Sequence, residues 1–156
     1  MILWTKFIRL CTLAIHALNF LAPLMDLAAR IWLANVFFRS GWVKISSWSS
    51  TLELFDYIYH VPYLPPHVAA YLAASVELGG SALLALGLGG RFAATALFIL
   101  NATAVISYPD LSASGLEEHF FWGLLLLLFI FHGPGKLSLD TLIQNKLMNK
   151  KIKTKT

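Results

Sequence analysis

Cysteine is nearly absent. Cys11 stands alone in 156 residues, which excludes an intramolecular disulfide, a cysteine zinc cluster, a Cys-x-x-Cys redox pair and a cysteine-held iron–sulfur centre. There is no Cys-x-x-Cys-His haem attachment sequence and no Gly-x-Gly-x-x-Gly following a strand, so no motif for an intrinsic redox cofactor is present. Charge is scarce too. Only 13% of residues are charged, about half the usual share for a soluble domain. Histidines His60, His67 and His119 share one side of the chain with Glu117 and Glu118, but no two of them have metal-ligand spacing. The run Glu117-Glu118-His119 also puts its members on different helix faces, so no metal site is expected.

What is abundant is apolar. The chain is 58% hydrophobic with a mean hydropathy of +0.69. A soluble fold of this size has too little interior to hide that surface, and the excess is gathered in runs. Four of them approach the ~20 residues that a helix needs to cross a ~30 Å hydrocarbon core. The expected fold is all-α and integral to the membrane: one four-helix bundle, with crossings near 27–45, 66–88, 91–108 and 117–132. Pro65-Pro66 opens the second crossing, Gly87, Gly89 and Gly90 turn it back at Arg91, and Pro109 stops the third. His132-Gly133-Pro134-Gly135 closes the fourth, and Ser138 reads as the N-cap of a short amphipathic C-terminal helix with Leu139, Leu142, Ile143 and Leu147 on its membrane side. A further short amphipathic helix is expected near 51–60.

Residues 1–22 carry Lys6 and Arg9 ahead of an apolar stretch, as a signal peptide does. The polar positions Thr5, Arg9, Thr12, His16 and Asn19 instead step by four and three, a stripe on one side of a helix. That pattern favours an interfacial or bundle-packed amphipathic helix over a cleaved leader, with Pro23 breaking or kinking it. At the other end, residues 142–156 form a basic tail with Lys146, Lys150, Lys151, Lys153 and Lys155. The pI near 9.3 therefore fits anionic lipid headgroups better than nucleic acid, for which no basic stripe interleaved with aromatics exists. With four crossings both termini share a side. That side holds ten of the twelve Lys and Arg residues, which predicts cytoplasmic termini.

The buried polar residues are the candidates for function. Glu77 lies in the middle of the second crossing, about 16 Å along the helix from Pro66. A carboxyl at that depth needs a partner, a proton or water. Arg39 lies about 9 Å from the Lys44 end of the first crossing. The axial offset of roughly 7 Å is within reach of an arginine, so Arg39 is the expected partner of Glu77. Arg30 and Lys44 are expected to snorkel to the two interfaces. Asn101, Glu118 and His119 enter the same half of the bundle. One reading is a pocket for a quinone headgroup or small anion. Arg39 and Lys44 would hold its oxygen, Glu77 would exchange a proton, and Trp42, Trp122, Phe120 and Phe121 would flank a ring. The plainer reading is an Arg39–Glu77 pair that fixes helix register, with Asn101 bonding between helices. Ser75 and Gly79, with Ser81, Ala85 and Gly89, are small residues at four-residue spacing that predict a close helix contact, internal or in a homo-oligomer.

Several pieces occur together in order. They are Arg39-Ser40-Gly41 with Lys44, then Glu77-Leu78-Gly79-Gly80, the Gly87–Arg91 turn, and Gly133-Pro134-Gly135-Lys136-Leu137-Ser138-Leu139-Asp140. Over roughly residues 28–141 the chain resembles the DoxX family of small four-helix bacterial membrane proteins. The amphipathic N-terminal segment and the lysine tail are longer than a minimal member needs. The resemblance implies an inner-membrane subunit linked to respiratory or redox-stress chemistry, handling or docking near quinone beside an oxidoreductase partner that supplies electrons. A non-catalytic anchor or assembly factor for such a complex is the alternative, and a small transporter lined by Arg39 and Glu77 is a third.

Overall fold

In a computed structural model, which describes residues 2–153, the chain forms six helices: α1 (Ile2–Ser46), α2 (Trp48–Tyr57), α3 (Pro66–Leu86), α4 (Gly90–Ser107), α5 (Ala113–His132) and α6 (Leu139–Lys153). The described residues contain no strand. Four helices, α1, α3, α4 and α5, are long and apolar enough to cross a membrane. Lys155 lies outside the described residues, as do the side chains of Thr5, Lys151 and Lys153.

The bundle is built by α1 against α3, α3 against α4 and α4 against α5. Its core joins Leu33 and Phe37 of α1, Leu84 of α3, Ala93, Ala94 and Leu97 of α4, and Leu126 and Phe129 of α5. Most large apolar side chains elsewhere are exposed, as expected when lipid rather than water bathes the outside. Close approach of α1 and α3 depends on Gly41, where a Cβ would stand 2.9 Å from both Glu77 Cβ and Leu78 Cγ. Of the expected small-residue seam, Ser81 is buried inside the bundle, whereas Ser75 and Gly79 are exposed. Both face outward, and a Cβ at Gly79 would touch nothing within 4 Å. The contact between α3 and α4 falls one residue later, at Gly80 on Leu97.

Two expectations are corrected at the end of the bundle bearing the α3–α4 turn. First, Pro23 does not end a helix. α1 is a single 45-residue helix with Pro23 inside it. A proline removes one backbone bond, and helices at membrane depth tolerate that where neighbouring groups compensate. All described side chains from Trp4 to Ala22 are exposed, so this half of α1 reaches beyond the bundle. Second, Arg30 does not snorkel. It is 1% exposed. Its guanidinium donates to the carbonyl of Pro134 and, at 2.6 Å, to that of Leu137.

That same end is tied by further bonds. Gly87 adopts φ +64 at the close of α3, and a Cβ there would collide with the Arg30 guanidinium and with Ser138. Asp140 donates its backbone N–H to Gly87 O at 3.0 Å and accepts from the N–H groups of Gly89 and Gly90 at 2.9 Å each, so it caps α4 from fifty residues away. Ser138 caps α6 as expected, its Oγ accepting from Thr141 N at 3.3 Å.

A buried lysine–glutamate pair between two cavities

At the opposite end, where α2 folds over the bundle, Glu77 is 7% exposed. Its partner is Lys44, whose Nζ donates to Glu77 Oε1 at 2.8 Å. Ser40 Oγ donates to the same oxygen at 3.0 Å and accepts from Lys44 Nζ at 2.9 Å. The cause lies in helix geometry. Phe37, Ser40, Gly41 and Lys44 follow one another by three and four residues, so they share the face of α1 that packs on α3. Gly41 then lets that face come close enough for the triad to close.

Arg39 stands about 100° around the helix from Ser40. It is exposed and has no carboxylate partner among the described residues. The Arg39–Glu77 pair inferred from depth alone is therefore replaced by Lys44–Glu77. Arg39 instead borders a third hollow, which it shares with Ser40, Lys44, Thr51, Leu54 and Tyr59 but not with Glu77.

Two cavities meet at the pair, and both are lined by Lys44, Glu77 and Tyr59. The first, about 250 Å³, is mostly apolar and lies between α3 and α4 under α2, with Phe55, Ala73, Ala104 and Ser107 in its wall. Leu64, Leu72 and Ile99 form its outer edge and are exposed on the lipid-facing side. The second, also about 250 Å³, is more polar and runs toward α5, where Asn101, Tyr108, His119 and Trp122 line it. Asn101 Nδ2 donates to the His119 carbonyl at 2.9 Å, which leaves Asn101 Oδ1 to accept from His119 Nδ1 at 2.8 Å. His119 Nδ1 is thus the donor in this bond. Trp122 meets the His119 ring edge-on at 4.9 Å.

Of the eight residues singled out from sequence, Glu77, Lys44, Asn101, His119 and Trp122 come together around these cavities. Three do not. Trp42 is 56% exposed and stacks on Phe38, and Glu118 is exposed and reaches the site only through its charge near His119. Arg39 is exposed and lines only the neighbouring hollow, on the far side of Lys44 from the cavities of Glu77. Phe120 and Phe121 also face outward, so neither flanks a ring in these cavities. Sequence reasoning missed Ser40, Tyr59, Tyr108 and Ser107. For Ser40 a signal existed, since it precedes Lys44 by four residues on one helix face.

Tyr59 lies in the loop after α2. Burial first, then Tyr108 and Glu77, push its phenol above the ordinary value, so it stays a neutral O–H donor near neutral pH. Thr51 Oγ1 donates to Lys44 O at 3.0 Å, and His60 N to Ser107 O at 2.9 Å, which fixes α2 and its loop as a cover over the pair. Two buried atoms remain without a hydrogen bond here, Glu77 Oε2 and Ser107 Oγ.

The comparisons agree with this architecture. No solved structure matches the chain. An uncharacterized protein of Haemophilus influenzae is 32% identical over 124 residues, which cover 76% of this chain and 82% of that protein. The DoxX family model matches residues 25–109, more than half of the chain. That stretch holds Ser40, Lys44, Glu77, Asn101 and Ser107, so the helices that bury the pair are also the matched ones, and the protein belongs to the DoxX family.

Proposed function

We propose that the protein binds a lipid-soluble carrier of the quinone class at the Lys44–Glu77 pair, as the membrane subunit of an oxidoreductase in the bacterial inner membrane. The observation that carries the reading is the position of the pair, an ionisable couple inside the spanning region where an apolar cavity meets a polar one. Ligand sites of this kind combine apolar walls with a few convergent polar groups. A cavity of about 250 Å³ falls just below the range of ~300–1,000 Å³ typical of sites for whole drug-sized ligands. It suits a single ring, with the tail leaving past Leu72 and Ile99 into lipid. Lys44 supplies a donor to a ring oxygen and Glu77 an acceptor for a ring hydroxyl. His119 and Tyr59 stand by as neutral proton-bearing groups. With no motif for an intrinsic redox cofactor, electrons come from a protein partner. Ten of twelve cations on one side support cytoplasmic termini, and the exposed half of α1 then extends from the cytoplasmic end of the bundle.

The test is lipid extraction from protein purified in mild detergent, followed by titration of a short-tailed benzoquinone against tryptophan fluorescence. The expected result is stoichiometric carrier and saturable quenching, both lost when Lys44→Met and Glu77→Leu are combined. Quenching that is unchanged by the double replacement would overturn the reading.

A further inference from the structure

The geometry points to a site that selects the reduced, hydroxyl-bearing form of its ligand over the oxidised, carbonyl-bearing form. This rests on the ring-binding reading above and adds the redox state that fits.

The two carboxyl oxygens of Glu77 are not equivalent. Oε1 accepts from Ser40 and Lys44. Oε2 is buried and accepts from nothing. With Oε1 taking both the Lys44 ammonium and the Ser40 hydroxyl, Glu77 is read as the anion of an ion pair. An ionised carboxylate can only accept, so the group that completes Oε2 has to be a donor. The other orphan beside this cavity, Ser107 Oγ, is 1% exposed. Its hydroxyl can donate or accept, and so does not discriminate. Lys44 uses two of its three N–H groups on Ser40 and Glu77, and the third can donate to a ring oxygen.

Consider each form of a dioxygenated ring placed here. A phenolic hydroxyl donates to Glu77 Oε2 and still accepts from Lys44 and Ser107. A quinone carbonyl accepts from Lys44 and Ser107 but leaves Oε2 unpaired and now cut off from water. The difference is one hydrogen bond to a charged oxygen against one buried unsatisfied acceptor, which corresponds to roughly tenfold or more in affinity. Preferential binding of the reduced form makes the bound couple easier to reduce than the free couple, because each state is stabilised in proportion to its affinity. The site thereby favours electron entry from a partner.

The experiment compares the full chain in phosphatidylcholine nanodiscs, under argon, titrated separately with a short-tailed benzoquinone and with its hydroquinone. The expected result is at least roughly tenfold tighter binding of the hydroquinone. Glu77→Gln places an amide N–H₂ where Oε2 stood while its oxygen continues to accept from Lys44 and Ser40, so this variant should lose or reverse the preference. Ser107→Ala should weaken both forms by a similar factor. Equal or tighter binding of the quinone by the parent protein overturns the inference while leaving the ring-binding reading intact. Retention of the hydroquinone preference by a folded Glu77→Gln protein also overturns it. Binding of neither form overturns the reading beneath it and the inference together. If Glu77→Gln does not fold, the parent comparison alone decides.

Discussion

Arg30 and Lys44 stand on one helix, near opposite ends of the bundle; Arg30 is buried and Lys44 partly so, both at least half withdrawn from the surface. Their surroundings differ. Arg30 meets backbone carbonyls at Pro134 and Leu137, in a turn also fixed by Asp140 and Ser138. Lys44 meets a carboxylate with a spare oxygen, and cavities lie on both sides. A guanidinium that satisfies carbonyl oxygens acts as a fastener, with one buried nitrogen, Nε, left over. An ion pair beside empty space with an unfilled acceptor is a place for something else to bind. Desolvation was accepted at both ends, but only Lys44 itself lines a cavity: the larger hollow at the other end, about 1110 Å³, is walled by Asp26, Arg91, His132 and Asp140 and leaves Arg30 behind its wall.

Substitutions can break that contrast, and their effects on stability should fall in a definite order. Arg30→Ala leaves two carbonyls without their charged donor, and hydrogen bonds to charged groups contribute ~1.5–3 kcal/mol each. A loss of about 3 kcal/mol or more is expected, read as a fall in detergent melting temperature, with the turn at 133–140 becoming open to protease. Gly87→Ala forces a side chain into φ +64 against Arg30 and Ser138. A loss of about 2 kcal/mol is expected from strain of this kind, in the same melting assay. Asp140→Ala removes the cap of α4 for about 1 kcal/mol, visible as faster amide exchange at Gly89 and Gly90.

The pair at the other end should behave differently. Replacing Lys44 by Met and Glu77 by Leu together is expected to change stability little, since exchanging a buried ion pair for apolar residues of similar size is often neutral. Ligand binding is expected to vanish. A severe loss of stability in that double variant would make the pair a fastener like Arg30 and erase the distinction. The smallest effect concerns alkaline pH. The Tyr59 phenol is raised in the folded protein, so its contribution is complete below the unfolded value near 10. It is lost as pH climbs through the higher folded value, because the unfolded chain gives up that proton first. Tyr59→Phe should therefore flatten part of the stability decline above about pH 10, measured as the difference between variant and parent.

The four crossings were legible because the length and apolarity of a run determine whether it can span. Depth was legible for Glu77 for the same reason, since helical rise is fixed. Facing was harder. Arg39 and Lys44 were weighed by axial distance, whereas the phase of the helix decides, and the spacing Phe37, Ser40, Gly41, Lys44 carried that phase. The small-residue seam was legible only in part: Ser81 is buried, while Ser75 and Gly79 face outward and Gly80 takes the contact with Leu97. Arg30 was not legible. Its partners are main-chain carbonyls more than a hundred residues away, and a carbonyl leaves no mark in the residue alphabet.

That separation also sets an order of events as the chain is made. Arg30 is synthesised early, and the two carbonyls that neutralise its burial come 104 and 107 residues later. At ~5–20 residues per second the interval is roughly 5–20 s. Until it ends, the first span holds a guanidinium with only the charge of Asp26 near it, and the carbonyl bonds that latch the bundle are not made. A message cut short before Pro134 would yield a protein with every crossing present and neither of these carbonyl bonds. Arg30 thereby ties the first span to a turn that is made only after every crossing.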